Sequence, residues 1–304
     1  ATCTEILVDD GVVQGVVLKN KHVGERRVRA PVVISNADYK RTMLELVGES
    51  HLKPRTVARA KRYEMSPALA ALYLGISRDL VAEGHPVTNY WINSALSCEE
   101  QYKAVFEGQF TEQPFAYVSI ASLKDPTNTE LAPAGVTNLQ VMGLVPSSFD
   151  SWGVTKAAFE DGSYRKSPAY KALKERWAAS MIAAAERVLP GLREQIVYQE
   201  VATPLSHRRY TGASGGTSYG IALTPKQFLN RRPGARTEVS GLYLCGASCR
   251  DGHGIAGVTL SGIAAASQVL GRSLGREVLG AANTVSCADD PAHKRSAGSA
   301  DGGG

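Results

Sequence analysis

Gly252-His-Gly-Ile-Ala-Gly257 fits the pattern G-x-G-x-x-G, whose glycines let a backbone close on a phosphate at the start of a helix. That chemistry needs the first glycine at the end of a strand, then a helix, a second strand and an acid about 20 residues on. Here six residues separate Cys245 from Gly252, and the acid position falls near Arg276-Glu277, with no strand to follow. The motif is therefore not read as a dinucleotide fingerprint. Two uses stay open for it. The glycines allow close backbone approach to a phosphate or another electron-rich group at the N-terminus of a helix that starts at Gly257. Alternatively, they form a tight turn that needs φ > 0.

Cys249 is the one candidate nucleophile. A reactive thiol needs a base or cation beside it, and Arg250 and His253 are close in sequence. No third group orients them, and no spaced carboxylate pair is present. Cys245 and Cys249 lack the companion Cys/His pair of a zinc site, so no metal is expected. Five cysteines, odd in number and widely spaced, do not form a disulfide framework and suit a reducing cytoplasm.

These residues sit in an α/β pattern. Glu5–Val8 and Val12–Leu18 flank Asp9-Asp10-Gly11, a hairpin signature. Arg26–Ala30 follows, then Val32–Ser35, an apolar run of the kind buried on both faces of a sheet. Asp38 is placed to cap a helix over Tyr39–Leu46. His51–Tyr63 reads as helix, and Ala68–Ile76, Val87–Asn93, Phe115–Ala121 and Thr137–Val145 as strands. Ser167–Leu189 is the clearest helix, with Tyr170, Trp177, Met181 and Ala185 on one face. Gln195–Val201 is a strand and Thr211–Gly220 a glycine-rich loop. Gly241–Cys245 is a short strand, and Val258–Leu274 a small-residue helix suited to close packing on a sheet. Residues 281–304 carry almost no large apolar side chain and read as a disordered tail.

Apolar residues make up 43% of the 304, charged residues 21%, and the formal charge is +5. That balance supports a packed core, and it lacks the basic-aromatic interleaving of a nucleic-acid binder. The basic runs Lys53–Arg62 and Arg231–Arg236 read as solvated faces. No apolar run reaches the ~20 residues of a membrane span. The chain opens on a strand-like segment without an initiator Met, which reads as the middle of a longer protein.

Taken in order, several of these motifs resemble one family. Gly241-Leu-Tyr-Leu-Cys-Gly-Ala-Ser248 followed by Gly252–Val258 resembles the C-terminal flavin motif of the phytoene-dehydrogenase-like FAD-dependent oxidoreductases. That family includes carotenoid desaturases and isomerases and retinol saturases. Val32-Val-Ile-Ser-Asn-Ala-Asp38 resembles its strand that passes the cofactor. Ser119–Pro126, Leu131–Gly135, Ala202–Leu205 and Gly215–Gly220 resemble landmarks of its substrate domain. The resemblance runs from about residue 4 to 274. Ser248-Cys249-Arg250-Asp251 departs from it, standing where many members carry Thr-His-Pro-Gly.

The resemblance implies FAD as cofactor and an α/β-plus-mixed-β oxidoreductase fold. Residues 1–38 and 237–280 would form the FAD-binding portion and 39–236 an inserted α+β substrate domain. Gly246, Ala247, Ser248 and Gly254, Ile255, Ala256, Gly257 and Val258 would lie along the flavin, with Asn36 and Ala37 near its nucleotide half. Bulk at Gly257 would then meet the ring. Asp251 would bind a ribityl hydroxyl or cap the turn, while His253 and Tyr219 would face the substrate. The implied activity is hydride transfer between FAD and an apolar small molecule: desaturation, saturation or isomerisation. The family's N-terminal βαβ unit is not in this sequence, so a preceding segment or a second chain would supply it. Two rivals remain: an amine-oxidase-like flavoenzyme, and a truncated, non-catalytic binding or assembly module.

Overall fold

The structure is a computed structural model that describes residues 1–22, 24–93 and 96–282. Its strands are β1 (Thr2–Asp9), β2 (Val12–Asn20), β3 (Gly24–Arg29), β4 (Val33–Ser35), β5 (Ala68–Ile76), β6 (Asn89–Ile92), β7 (Ala116–Ile120), β8 (Thr137–Val145), β9 (Ile196–Ala202) and β10 (Leu242–Leu244). The helices used below are α1 (Pro54–Arg62), α2 (Cys98–Phe106), α3 (Pro168–Ala185), α4 (Pro204–Thr211), α5 (Gly254–Leu270) and α6 (Gly275–Ala282). The chain divides into two compact units. One holds Ala1–Asn36, Thr42–Ala60 and the chain from Thr224 onward; the other holds Ala37–Arg41 and Lys61–Leu223. Thr42–Ala60 thus groups with the first unit, and the chain returns to that unit at Thr224, not near residue 237 as the sequence suggested.

In the first unit, β1 and β2 form an antiparallel hairpin closed at Asp9↔Val12. Asp10 (φ 43°) and Gly11 (φ 72°) both take positive φ. That matches the type I′ turn whose twist suits a two-residue hairpin. β3 adds to β2, from Gly15↔Arg29 to Asn20↔Gly24. Ile6, Val13 and Val17 turn into the core.

β4 and β10 pair in parallel: Leu242↔Val33, Tyr243↔Ile34 and Leu244↔Ser35. Val33 N donates to Gly241 O at 2.9 Å, and Cys245 N to Ser35 O at 3.0 Å. Two strands roughly 200 residues apart therefore share one layer, as their common link to cofactor motifs led us to expect. The expected burial of β4 on both faces does not hold, since Ile34 is 48% exposed. The cause is that this sheet has two strands among the described residues, so β4 is an edge with one flank and much of one face uncovered.

α5 starts at Gly254, three residues before the expected Gly257 and four before the expected Val258. It ends at Leu270, where Gly271 (φ 65°) supplies a left-handed cap. Its buried positions are Gly257, Ser261 and Ala265, a stripe at intervals of four on the side that meets β10. α6 follows to Ala282; the rest of the expected tail lies outside the described residues. Helix follows helix here, so the strand a dinucleotide fingerprint requires is not found after Gly252–Gly257 among the described residues.

The second unit is built on an antiparallel sheet ordered β6-β7-β8-β5-β9. β5 and β8 pair over their full length, from Ala68↔Val145 to Ile76↔Thr137. One face is buried: Leu72, Leu74, Val118, Leu139 and Val141 pack with Trp177, Met181 and Ala185 of α3. Ser167 caps α3 by accepting from Tyr170 N, and Pro168 occupies its first turn. The other face carries two rows in register. Trp91, Tyr117, Met142 and Ala71 form an apolar row, and Asn89, Ser119, Gln140 and Tyr73 a polar one.

α2 and α4 are among the helices not expected from the sequence. α2 opens with a capping box, Ser97 and Glu100 exchanging bonds. α4 opens with Thr203 bonded reciprocally to Ser206 and with Pro204 in its first turn. Asp38 accepts from Arg41 N as anticipated, but Arg41–Gly48 winds as a π-helix.

Candidate functional site

The ends of β4 and β10 meet. Gly246, just past β10, has φ +94°, and a Cβ there would stand 1.9 Å from Asn36 Oδ1. Only glycine lets the two chain ends approach so closely. Gly246 N donates to Ser261 Oγ at 2.8 Å, which donates onward to Val258 O at 2.8 Å. One hydroxyl thus ties the strand end to the first turns of α5.

Between them the chain makes two consecutive turns. Cys249 N donates to Gly246 O at 3.0 Å, and Gly252 N to Cys249 O at 3.1 Å. Arg232 holds both turns from behind. Its Nε donates to Cys249 O at 2.8 Å and its guanidinium nitrogen Nη2 to Ala247 O at 2.6 Å. The residue is 2% exposed. It corrects the solvated-face reading of Arg231–Arg236, because its neighbour Pro233 also accepts from Arg250 N and draws this stretch against the loop. The basic residues of Lys53–Arg62 are exposed, as expected. Neither Arg232 nor Ser261 was singled out in the sequence.

Gly257 is also corrected. A Cβ at Gly257 would meet Asp251 O at 2.7 Å and the Gly252 carbonyl at 2.8 Å. The glycine lets α5 sit against its own preceding loop, and bulk there would strike backbone, not a ring. The space lies at the other end of the motif. His253 is the N-cap residue of α5 but its side chain does not bond the helix's first N–H groups, and a Cβ on Gly254 would meet nothing within 4 Å. Gly254 and Ala256 are exposed, and Ile255 is 89% exposed. A helix whose first N–H groups are uncapped and open fits an electron-rich, acceptor-bearing group. The residues therefore fit the group that the resemblance implies, chiefly through backbone.

Asn36, Ala37, Asp251 and His253 are exposed, while Ala247 and Ser248 are half-buried. Partial burial and then the Arg232 charge hold the His253 pKa below its ordinary value, favouring the neutral ring. Cys249 is 3% exposed. Burial, followed by the neighbouring Cys245 and Asp251, pushes its thiol up to about 12. A thiol held protonated in this way is no nucleophile near neutrality.

Tyr219 and Ala37 belong to the second unit. Tyr219 lies on the glycine-rich loop, which is pinned at several points. Ser214 donates to Asp38 through N at 3.0 Å and Oγ at 2.7 Å. Gly216 (φ +64°) lies so close to Pro204 that a Cβ would stand 2.1 Å from its carbonyl oxygen. Tyr219 N donates to Ser66 Oγ at 3.3 Å. His207 Nδ1 meets Ser218 Oγ at 3.4 Å. Burial holds the His207 pKa below its ordinary value despite an opposing bond with the Gly216 backbone. The unfolded chain therefore binds a proton more readily than the folded one. Stability is full above the unfolded pKa of about 6.5 and falls as pH drops through the depressed folded value. Thermal midpoints measured across that window should decline toward acid, and less steeply in His207→Gln. Equal slopes would show that His207 is not responsible.

No protein-family model matches the chain. Among curated proteins it is 30% identical over 273 residues to a chloroplastic prolycopene isomerase of Daucus carota, covering 88% of this chain and 39% of that protein. It is 27% identical over 275 residues to a lycopene-forming phytoene desaturase of Pseudescherichia vulneris, covering 89% and 50%. With an all-trans-retinol 13,14-reductase of Danio rerio it shares 26% over 273 residues, covering 86% and 43%. The chain is a sequence relative of the phytoene-dehydrogenase-like oxidoreductases. It spans between 39% and 50% of the length of these relatives. Among solved structures, an oxidoreductase from Methanosarcina mazei aligns with TM-score 0.50 at 16% identity, covering 88% of this chain and 48% of that one. That likeness concerns fold alone, and it agrees with the α/β-plus-mixed-β oxidoreductase architecture expected from the sequence. No helix among the described residues is long and apolar enough to cross a membrane.

Proposed function

We propose that this chain is part of an FAD-dependent oxidoreductase that desaturates, saturates or isomerises an apolar organic molecule. The observation that carries the reading is the junction of β4 and β10, where Asn36 packs on Gly246 beside the uncapped start of α5. When bound, the flavin supplies the hydride chemistry, which explains why no acid–base pair is needed in the loop. The chain's own residues then hold and orient. The backbone of Gly246–Ser248 and the N–H groups at Gly254–Ala256 line one edge of the cofactor. Ser261 and Arg232 keep that lining in place. In the first unit, Asp251 and Val258 complete the cofactor side in this reading, with His253 toward the substrate; the roles implied for Ala37 and Tyr219 fall on the second unit. The apolar row Trp91-Tyr117-Met142 offers a floor for an apolar substrate.

The pyrophosphate contacts of this fold come from a strand–glycine turn–helix unit, which we assign to a preceding segment or a second chain. Each missing charge-assisted bond is worth about 1.5–3 kcal/mol. This chain by itself should then bind FAD saturably but more weakly than about 1 μM, three or four such bonds costing a factor of thousands. Titration followed by quenching of flavin fluorescence tests this, with Gly246→Val expected to abolish the signal. Sub-micromolar binding would mean that the remaining residues grip the phosphates after all. No saturable binding, or an unchanged isotherm in Gly246→Val, would overturn the placement of the flavin.

A further inference from the structure

Two arginines of the second unit converge on one glycine. Gly162 ends the short helix Lys156–Asp161 as its left-handed cap, with φ +79°. A Cβ there would stand 3.0 Å from Arg165 Nη2 and 3.4 Å from Arg209 Nη1, so both guanidiniums close over the same residue. Arg165 Nε also donates to Gly162 O at 3.2 Å. Arg208, beside Arg209 on α4, lies 4.6 Å from the centre of the Phe149 ring and adds a third cation to this surface.

The base beneath them is fixed. Tyr164 is 3% exposed, and its ring centre lies 5.5 Å from that of Phe159 and 5.2 Å from that of Tyr170. The Tyr170 hydroxyl meets Thr203 Oγ1 at 2.7 Å, where α4 begins. The turn that carries Arg165 and the helix that carries Arg209 are thereby tied to one aromatic cluster. Burial raises the pKa of the Tyr164 phenol, and the Arg209 and Arg165 charges oppose it.

The acids nearest in sequence are engaged elsewhere. Asp161 Oδ1 accepts from Ser163 N at 2.7 Å, and Glu160 pairs with Lys156 at 3.6 Å. Among the described residues no carboxylate forms an ion pair with Arg165 or Arg209. Two like charges held this close repel each other, and both side chains are open to solvent. An anion that bridges them turns that repulsion into attraction. A carboxylate is satisfied by a single guanidinium fork, whereas a terminal phosphate has three oxygens and close to two charges to share between two forks.

We propose that Arg165 and Arg209 together hold a terminal phosphate monoester, carried either by a soluble molecule or by a lipid headgroup. The site uses none of the residues assigned above to cofactor or substrate.

Phosphorus NMR of glycerol 3-phosphate titrated with the 304-residue chain at low salt tests the soluble source. Sedimentation with phosphatidylcholine vesicles, with and without phosphatidic acid, tests the lipid source. At least one phosphate probe should bind saturably. Arg165→Gln and Arg209→Gln should each weaken that binding about tenfold or more, through lost charge-assisted bonds. Arg165→Lys and Arg209→Lys keep the charge but not the fork, and should still weaken it several-fold. Lys166→Gln removes an exposed cation outside the convergence and should change binding by less than about twofold. Acetate should bind at least about tenfold more weakly than glycerol 3-phosphate. Unfolding midpoints of these surface variants should stay near that of the parent, which separates lost binding from lost fold. Binding of either phosphate probe that needs both arginines supports the proposal and names the source. Absence of arginine-dependent binding to both probes would overturn it. So would acetate binding as tightly, or an equal loss in Lys166→Gln, which would reduce the effect to general surface charge.

Discussion

Replacing Arg232 by alanine is expected to destabilise the protein by about 3–5 kcal/mol, among the largest effects for a single side chain. The guanidinium is 2% exposed and gives charge-assisted bonds to Cys249 O and Ala247 O. Each such bond is worth about 1.5–3 kcal/mol, and its removal also leaves a carbonyl short of a donor in a closed space. Arg232→Lys keeps the charge but not the planar fork that reaches both oxygens at once, so it should recover less than half of the loss. Urea unfolding of the three proteins measures this. A loss under about 0.5 kcal/mol in the alanine variant, the range of ordinary surface changes, would mean the loop stands without its staple. The same variant should lose flavin binding before it loses secondary structure, because the two turns between Gly246 and Gly252 shape the proposed lining.

Two glycines of α5 should answer the same substitution with opposite signs. At Gly257 a methyl group would press on the Asp251 and Gly252 backbone at 2.7–2.8 Å. Overpacking against backbone costs about 1–3 kcal/mol. That outweighs the gain of up to about 1 kcal/mol when alanine replaces glycine in a helix. At Gly262 nothing lies within 4 Å of the new methyl, so Gly262→Ala should stabilise by about 0.5–1 kcal/mol. The pair controls for helix propensity, since both sit within Gly254–Leu270. Destabilisation by both, or by neither, would mean that the helix-to-loop packing is not the reason for glycine at Gly257.

What the sequence reveals and what it hides divides along physical lines. The hairpin was legible because Asp10-Gly11 is a local signal: both residues tolerate the left-handed backbone the turn demands. β8 was legible to its ends because apolar residues alternate along it, and β5 because it is a strongly apolar run. The capping box at Ser97–Glu100 was equally local and would have disclosed α2. Arg232 was hidden by its neighbours. A run of arginines reads as surface, and nothing local says that one of them turns inward to find two carbonyls 15 and 17 residues on. Gly257 was half legible: its type announced a close approach, but what approaches depends on how the preceding loop folds. The β4–β10 pairing was beyond any local pattern, and only the likeness of both strands to flavin motifs suggested it.

The separation of those two strands also orders the making of the protein. β4 emerges during synthesis roughly 200 residues ahead of β10, its parallel partner. At about 5–20 residues per second, that leaves the strand waiting on the order of 10–40 s. The β1–β2 hairpin, by contrast, closes within about 1–10 μs of release. Through that interval Val32 and Ile34 present apolar side chains beside backbone groups with no partner, a target for chaperones and for a neighbouring nascent chain alike. The second unit's sheet draws its strands from residues 68–202, so all of them are available before Leu244 has been added. The junction at Asn36 and Gly246 therefore closes after the second unit's sheet can form, and a chain cut short before Gly246 never has the proposed cofactor corner.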